Sequence, residues 1–346
     1  MFGRMMNNYY YGKSGKGDFR KDDMPETRMQ LFWDTLRTRL SGLCRLNLIY
    51  MIIWIPALLV ILFSGSELYS NLTAYVMIQE NDYTAYVERI TEAEGEVRLT
   101  EEQYNEIKAQ EVDLADYLRG AFFRMLLMLF PCIAITGPFT AGISYVTRNW
   151  ARDEHAFIWS DFKDAVKANW KYPLVLSTIT GAMPLLVFQG WITYGQMAEN
   201  NMILMVPRIL VVLVGMIWAI SITYMHPLTV TYDLKLMNVM RNGFLLGIAR
   251  LPFSVGIRLL HCIPFLIAAA AVWFFGLELM MGMVLLAGYY MIIGFGLSRF
   301  VTASYTNAVF DRFINPRIEG AKVNQGLREP EEDDEEEPEE TKEETD

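Results

Sequence analysis

Six long runs of apolar residues limit what this chain can fold into. Each run holds between about 18 and 26 residues. A helix of that length, at about 1.5 Å per residue, crosses the roughly 30 Å hydrocarbon layer of a bilayer. A water-soluble helix keeps a polar face and rarely stays uncharged for so long. The pattern predicts an all-α fold, a polytopic membrane bundle of six transmembrane helices at 46–63, 121–146, 173–194, 202–225, 252–275 and 279–297.

The charges are divided unevenly along the chain, and the division predicts its orientation. The formal net charge is −10, yet residues 328–346 alone carry −11 and residues 65–118 carry −10, which leaves +11 on the rest. Lysine and arginine gather in residues 1–45 and after the even-numbered spans, whereas the connections 195–201 and 276–278 contain neither. Because cytoplasmic loops are enriched in Lys and Arg, both termini are predicted to lie in the cytoplasm, with the protein in the inner membrane.

These segments divide the chain into three parts. Residues 1–45 are predicted to form a cytoplasmic arm with an amphipathic helix, residues 46–301 the six-helix membrane domain, and residues 302–346 a cytoplasmic tail that is acidic and, by composition, disordered from about residue 328. Residues 65–118 are the acidic extracytoplasmic loop, which is either a solvated cap or a partner-docking surface. Within it, Thr100 and Gln103 frame a capping box that predicts a short helix.

The cytoplasmic connection 157–170 has the periodicity of an amphipathic helix. Its apolar residues fall on one helical face and its charged residues fall elsewhere. Such a helix is expected to lie at the inner membrane interface, with its aromatic side chains among the lipid headgroups. The apolar face consists of Ile158, Phe162, Ala165, Val166 and Trp170.

The spans also resemble one another in pairs, which predicts three related helical hairpins. Each odd-numbered span contains a proline after a large apolar residue, at Pro56, Pro184 and Pro264. Two even-numbered spans close with a proline followed two residues later by threonine, at Pro138 and Pro227, and the third lacks the proline. Because proline removes a backbone donor and kinks a helix, the freed carbonyl groups need partners inside the bundle.

One segment resembles the signature of the YesL-like family. It runs from residue 137 to residue 171 and reads GPFTAGISYVTRNWARDEHAFIWSDFKDAVKANWK. A looser resemblance covers residues 30–315 and includes Asn47 in the first span and Asn242 in a later cytoplasmic segment. The residues that carry the central motif are Gly137, Pro138, Thr140, Tyr145, Arg148, Asp161, Phe162 and Asn169.

The resemblance implies a bacterial integral membrane protein built on a domain of unknown function. It further implies an accessory or transport-related role in carbohydrate uptake, beside a sugar ABC transporter or other membrane proteins, and it supplies no catalytic residue. An ABC-type permease subunit and a membrane assembly or signalling scaffold are the alternative functions. A permease would hold a nucleotide-binding subunit, whereas a scaffold would bind proteins without moving a solute.

The sequence brings together no residues for enzymatic, metal or cofactor chemistry. Its three histidines form no HExxH motif, its three cysteines form no CxxC pair, and none of the six predicted spans contains Asp or Glu. We therefore expect no enzymatic activity, no cofactor and no metal site. The expected partners are the lipid bilayer and membrane proteins rather than nucleic acid, and the sequence leaves the oligomeric state open.

Arg258 and His261 are the exceptional polar pair of the fifth span. Spaced i, i+3, they share one helical face and form a candidate intramembrane polar site. Arg258 lies about 12 Å into the helix, so a first interpretation is that its side chain snorkels back to the interface. A second is that both residues line a polar cavity near the kink at Pro264. There, a fixed positive charge favours acidic sugars over neutral ones.

Overall fold

The computed structural model describes residues 24–80, 82–94, 99–109 and 113–328. Within these ranges the chain forms α-helices, short 3₁₀ turns and one π-helical segment, with no β-strand. Six helices are long and apolar enough to cross a membrane, which confirms the predicted all-α bundle of six spans. The first 23 residues of the predicted arm and the acidic tail from residue 329 lie outside the described residues.

The spanning helices alternate with shorter ones. The spans are α1 (Arg28–Glu80), α4 (Leu114–Trp150), α6 (Lys171–Asn200), α7 (Met205–Thr231), α9 (Leu251–Phe275) and the pair α10 (Leu279–Tyr289) and α11 (Phe295–Phe313), which the π-helical segment Tyr290–Gly294 joins into one span. The shorter helices are α2 (Tyr83–Glu94), α3 (Glu101–Ala109), α5 (Ile158–Ala168) and α8 (Leu236–Ala249).

The first span is longer than predicted at both ends. The apolar run extends from residue 46 to residue 63, whereas α1 is one helix of 53 residues. It includes part of the predicted arm and the beginning of the predicted outer loop. Neither glycine nor proline interrupts residues 66–80, and Ile78 near the end of the helix is buried. Tertiary contact therefore extends the helix beyond the membrane-length run.

Helices α2 and α3 pack against the end of α1 in a small cluster of their own. Ile78, Tyr86 and Tyr104 are buried there, and the Tyr104 hydroxyl donates to the Ile78 carbonyl at 2.9 Å. The Thr100 amide donates to Gln103 Oε1 at 3.1 Å, and the Gln103 amide donates to Thr100 Oγ1 at 3.3 Å. The predicted capping box and the helix that it opens are confirmed.

Helix α5 is present as predicted, but the bundle covers much of its apolar face. Phe162 and Ala165 are buried, and the Phe162 ring lies against Gly142 of α4, which has no side chain to hold the helices apart. Trp170 is exposed and precedes α6 instead of belonging to α5. The expectation that this face enters the headgroup layer is therefore wrong for Phe162 and Ala165, because α4 occupies that space.

Both ends of the described chain lie on the same side of the bundle. The Arg328 amide donates to the Pro25 carbonyl at 3.0 Å. The connection between α4 and α5 reaches the same side, since the Arg152 guanidinium donates to the Gln325 side-chain oxygen at 2.6 Å. An even number of spans places the two ends on the same side, as observed here.

The apolar core is concentrated toward this side of the bundle, in two clusters. The first joins α1, α4 and α11 through Leu46, Tyr50, Ile143, Trp150 and Phe300. The second joins α6, α7, α8 and α11 through Leu176, Tyr224, Leu228, Val239 and Phe310. Helix α9 takes little part in either cluster; its buried residue is Ser254, which bonds to the Tyr224 hydroxyl at 2.5 Å.

Candidate functional site

A polar cavity of about 260 Å³ lies within the bundle, and all six spanning helices contribute to its wall. The residues that line it include several serines and threonines, two histidines and two arginines, with no Asp or Glu among them. Ionisable residues inside membrane bundles are costly and commonly mark ligand or ion pathways. This cavity is therefore the candidate functional site.

The polar residues of the wall come in pairs one helical turn apart. Residues three or four positions apart share a helical face, so each spanning helix except α1 presents two polar side chains at neighbouring levels. The aromatic rings of Trp54, Tyr290 and Phe295 complete the wall. The pairs are Thr136 and Thr140 of α4, Ser177 and Thr180 of α6, Thr223 and His226 of α7, Arg258 and His261 of α9, and Ser298 and Thr302 of α11.

The structure places both predicted residues, Arg258 and His261, on this wall. His261 Nε2 lies 3.1 Å from the Ser298 carbonyl oxygen, so a neutral imidazole donates from this nitrogen. Thr302 Oγ1 lies 3.4 Å from the same nitrogen. His261 thereby attaches α9, which buries few residues, to α11.

Two further basic residues, which the sequence analysis did not assign to a site, share the cavity. Arg299 lies within electrostatic range of Arg258 and of His261 and His226, and His226 is only 4% exposed. The sequence analysis counted Arg299 among the cytoplasmic charges, because it follows the predicted end of the last span at residue 297. The helix continues to Phe313, so Arg299 belongs to the bundle.

Several polar atoms of the wall are buried without a hydrogen-bond partner within the described residues. Buried donors are nearly always paired in folded proteins, and an unmade bond costs about 1–3 kcal/mol. Four such atoms belong to residues that line this cavity, which indicates that its contents are polar. These atoms are Trp54 Nε1, Thr223 Oγ1, His226 Nδ1 and Arg258 Nε.

Threonine hydroxyls of the wall donate to their own helices. Thr136 donates to the Ile133 carbonyl at 2.7 Å and Thr302 donates to the Ser298 carbonyl at 2.8 Å, as threonine often does inside a helix. The remaining lone pairs of these oxygens can accept hydrogen bonds. The wall therefore combines positively charged N–H donors with hydroxyl acceptors.

Asn47 of α1 fixes the π-helical segment beside the cavity. A π-helical turn breaks the regular pattern of helical hydrogen bonds and often occurs at functional sites. The fully buried Asn47 side chain donates to the carbonyls of Tyr290 and Met291 at 3.0 and 2.8 Å and accepts from the Gly296 amide at 2.8 Å. These bonds hold the segment that carries the Tyr290 ring and precedes Phe295. Nothing in the local sequence predicts the π-helical turn, although Asn47 belongs to the resemblance described above.

Among the residues of the family-like motif, Thr140 lines the cavity and bonds to the Tyr50 hydroxyl at 2.6 Å. Gly137 lies where α4 meets α6, and a Cβ atom there would lie 2.3 Å from the Pro173 carbonyl oxygen. Phe162 is buried between α5 and α4. Pro138 lies within α4.

The polar residues of the motif shape the ends of helices. Asp161 accepts from the Phe157 amide at 2.8 Å at the start of α5, and the Asn169 side chain donates to the Ala165 carbonyl at 3.2 Å at its end. The Arg148 carbonyl accepts from the Asn307 side chain at 3.2 Å, and Tyr145 is half-buried. The motif thus mainly holds α4, α5 and α6 together.

A family model described as "Protein of unknown function, DUF624" matches residues 117–191. The matched segment contains most of α4, all of α5 and much of α6, and it supplies Thr136, Thr140, Ser177 and Thr180 to the cavity wall. No curated protein and no solved structure matches the chain. In the described parts of the chain, no group of three or more His, Cys, Asp or Glu residues could hold a metal ion.

Proposed function

We propose that this chain is a multi-pass inner-membrane protein of bacterial carbohydrate uptake. It binds a sugar-sized solute in the central cavity and performs no reaction on it. Both termini face the cytoplasm, and the protein works beside a sugar ABC transporter or another membrane protein.

The polar cavity carries this proposal. Its volume of about 260 Å³ is just below the roughly 300–1,000 Å³ of typical small-molecule pockets, which suits a ligand such as a monosaccharide. Paired hydroxyl groups and unpartnered donors on several helices match a solute with many hydroxyl groups. The position of the cavity among six spans is that of a solute site in a transport-related protein.

The carbohydrate context and the orientation have separate support. The resemblance of residues 137–171 to the YesL-like family points to carbohydrate uptake. The Lys and Arg distribution supports cytoplasmic termini. The contact between Arg328 and Pro25 is consistent with both termini on one side.

A binding measurement with a cavity-filling variant tests the proposal. Purified protein in nanodiscs of zwitterionic lipid is titrated with galactose and galacturonate by calorimetry. Ser177→Leu places an apolar side chain into the cavity without changing its charge, and we expect it to abolish binding of both sugars. Ser70→Leu, at an exposed position of α1, is the matched control and should bind as the wild type does.

Affinity purification in mild detergent separates the alternative functions. A stably bound nucleotide-binding subunit would identify a permease subunit. Co-purifying membrane proteins together with no binding of either sugar would identify a scaffold and contradict the proposal. Sugar binding that survives Ser177→Leu would place the solute site outside this cavity.

A further inference from the structure

The proposed function does not account for the positive charge of the cavity. Arg258 and Arg299 both line it, and each lies within electrostatic range of the other. No carboxylate lines the cavity. In the described part of the chain, neither guanidinium forms an ion pair or a hydrogen bond; Arg28, Arg119, Arg152 and Arg328, by contrast, each pair with an acidic residue.

Two neighbouring cations at partly buried positions are unfavourable unless something compensates them. A buried charge without a partner costs several times more than a buried ion pair. Here the two arginines repel each other, and His226 and His261 add no negative charge. A bound anion would offset both the repulsion and the desolvation cost by its attraction to the two arginines, and a cation would add further repulsion.

We infer that the cavity is an anion site, in which Arg258 and Arg299 together bind the negatively charged group of the solute and the Ser and Thr hydroxyls bind its O–H groups. This inference rests on the proposed function, because it names the substrate class of the same cavity. The ligand is then a small hydroxylated anion, an acidic sugar with a carboxylate or phosphate group.

The residues of the wall can bind both the anionic group and the hydroxyl groups of such a ligand. Arginine presents several N–H donors in a planar fork that matches the oxygens of a carboxylate or phosphate. Arg258 Nε and Trp54 Nε1 are buried donors without acceptors. Thr136 and Thr302 already donate to their own helices, so they can accept hydrogen bonds from the hydroxyl groups of a sugar.

The test compares ligands that differ in charge. Wild-type protein in zwitterionic nanodiscs is titrated with galactose, galacturonate, galactose 6-phosphate and inorganic phosphate. We expect an acidic sugar to bind at least about tenfold more tightly than galactose, since charge-assisted hydrogen bonds are roughly twice as strong as neutral ones. Comparing the affinities for galacturonate and galactose 6-phosphate shows whether the site prefers a carboxylate or a phosphate group.

Charge-removing variants test the two arginines. Arg258→Gln and Arg299→Gln should each weaken binding of the acidic sugar roughly 30-fold or more, because each removes a cation that pairs with the anionic group of the ligand. Each variant should change galactose binding less than about threefold. Arg124→Gln, at an exposed position of α4 that does not line the cavity, is the matched control. Without ligand, both cavity variants should melt at or above the wild-type temperature, since each removes an uncompensated charge.

The outcomes separate this inference from the proposed function. Equal affinities for galactose and galacturonate would overturn the anion site and leave the sugar site standing. Inorganic phosphate that binds as tightly as the acidic sugars would support the anion site and contradict the carbohydrate function. A loss of acidic-sugar binding in nanodiscs that contain phosphatidylglycerol, with galactose binding unchanged, would assign the anion site to a lipid headgroup and overturn the inference. A lower melting temperature of both variants without ligand would show that the arginines have internal partners, and would also overturn it.

Discussion

At the scale of single residues, Gly137 shows how one missing side chain permits the packing of two spans. In α4 it faces the backbone of α6 so closely that an added Cβ atom would meet the Pro173 carbonyl oxygen at 2.3 Å and the Leu174 Cα atom at 2.8 Å. Backbone atoms cannot rotate away as a flexible side chain can. The contact lies close to Thr136 and Thr140, so the spacing of α4 and α6 also sets the width of the cavity.

Gly137→Ala should therefore destabilise the protein. A methyl group in this position forces the two helices apart, and overpacking of this kind costs about 1–3 kcal/mol. Gly256→Ala in α9 is the matched control, since no atom lies within 4 Å of its added Cβ and the change should be neutral or stabilising by up to about 1 kcal/mol. Thermal unfolding in detergent measures both variants; equal melting temperatures would contradict the close contact of α4 and α6.

At the scale of secondary-structure elements, the sixth span is two α-helices joined by the π-helical segment Tyr290–Gly294. The irregular turn leaves backbone groups that need partners inside the membrane. Asn47 provides them from α1, with two donated bonds and one accepted bond. The same segment carries Tyr290, and Phe295 follows it to stack on Trp54 with ring centroids 5.1 Å apart. A single asparagine thus connects the first span, the last span and the aromatic part of the cavity wall.

Asn47→Ala should destabilise this junction strongly. It leaves two carbonyl groups and one amide without partners, and each unsatisfied buried group costs about 1–3 kcal/mol. Asn71→Ala is the matched control, because Asn71 donates one exposed hydrogen bond to the Tyr117 hydroxyl at 2.7 Å, and its loss should cost no more than about 0.5 kcal/mol. We expect a large loss of melting temperature for the first variant alone. Similar melting temperatures for the two variants would show that the π-helical turn does not depend on Asn47.

At the scale of the whole molecule, the arrangement of the helices defines two sides. The two ends of the described chain and the connection between α4 and α5 meet on one side. Helices α2 and α3 connect α1 to α4 at the opposite ends of those spans. The structure therefore shows which loops share a side, and the Lys and Arg distribution predicts that the first side faces the cytoplasm.

Cysteine labelling in intact cells tests this orientation. In a background in which Cys44, Cys132 and Cys262 are replaced by alanine, Thr100→Cys should react with a membrane-impermeant maleimide. His155→Cys should react only after the cells are made permeable. Both positions are exposed in the structure, so accessibility to solvent does not limit either reaction. Labelling at position 155 in intact cells, with none at position 100, would reverse the proposed orientation.

Features that depend on neighbouring residues could be predicted from the sequence alone. Apolar runs of membrane length fixed the number of spans, because length and hydropathy are local properties. The capping box at Thr100 and the amphipathic pattern around Phe162 predicted α3 and α5 for the same reason. The pairing of Arg258 with His261 was also visible, since residues three apart share a helical face.

Which of these faces meet depends on contacts between residues that are far apart in the chain. The cavity joins residues from Trp54 to Thr302, and no periodicity relates side chains so far apart in the chain. Arg299 was counted as a cytoplasmic charge because hydropathy ends the last span at residue 297, while packing against the bundle continues the helix beyond it. The π-helical turn likewise depends on Asn47, more than 240 positions away. Such long-range contacts decide where a buried charge lies, because the energy of the charge depends on its surroundings in three dimensions.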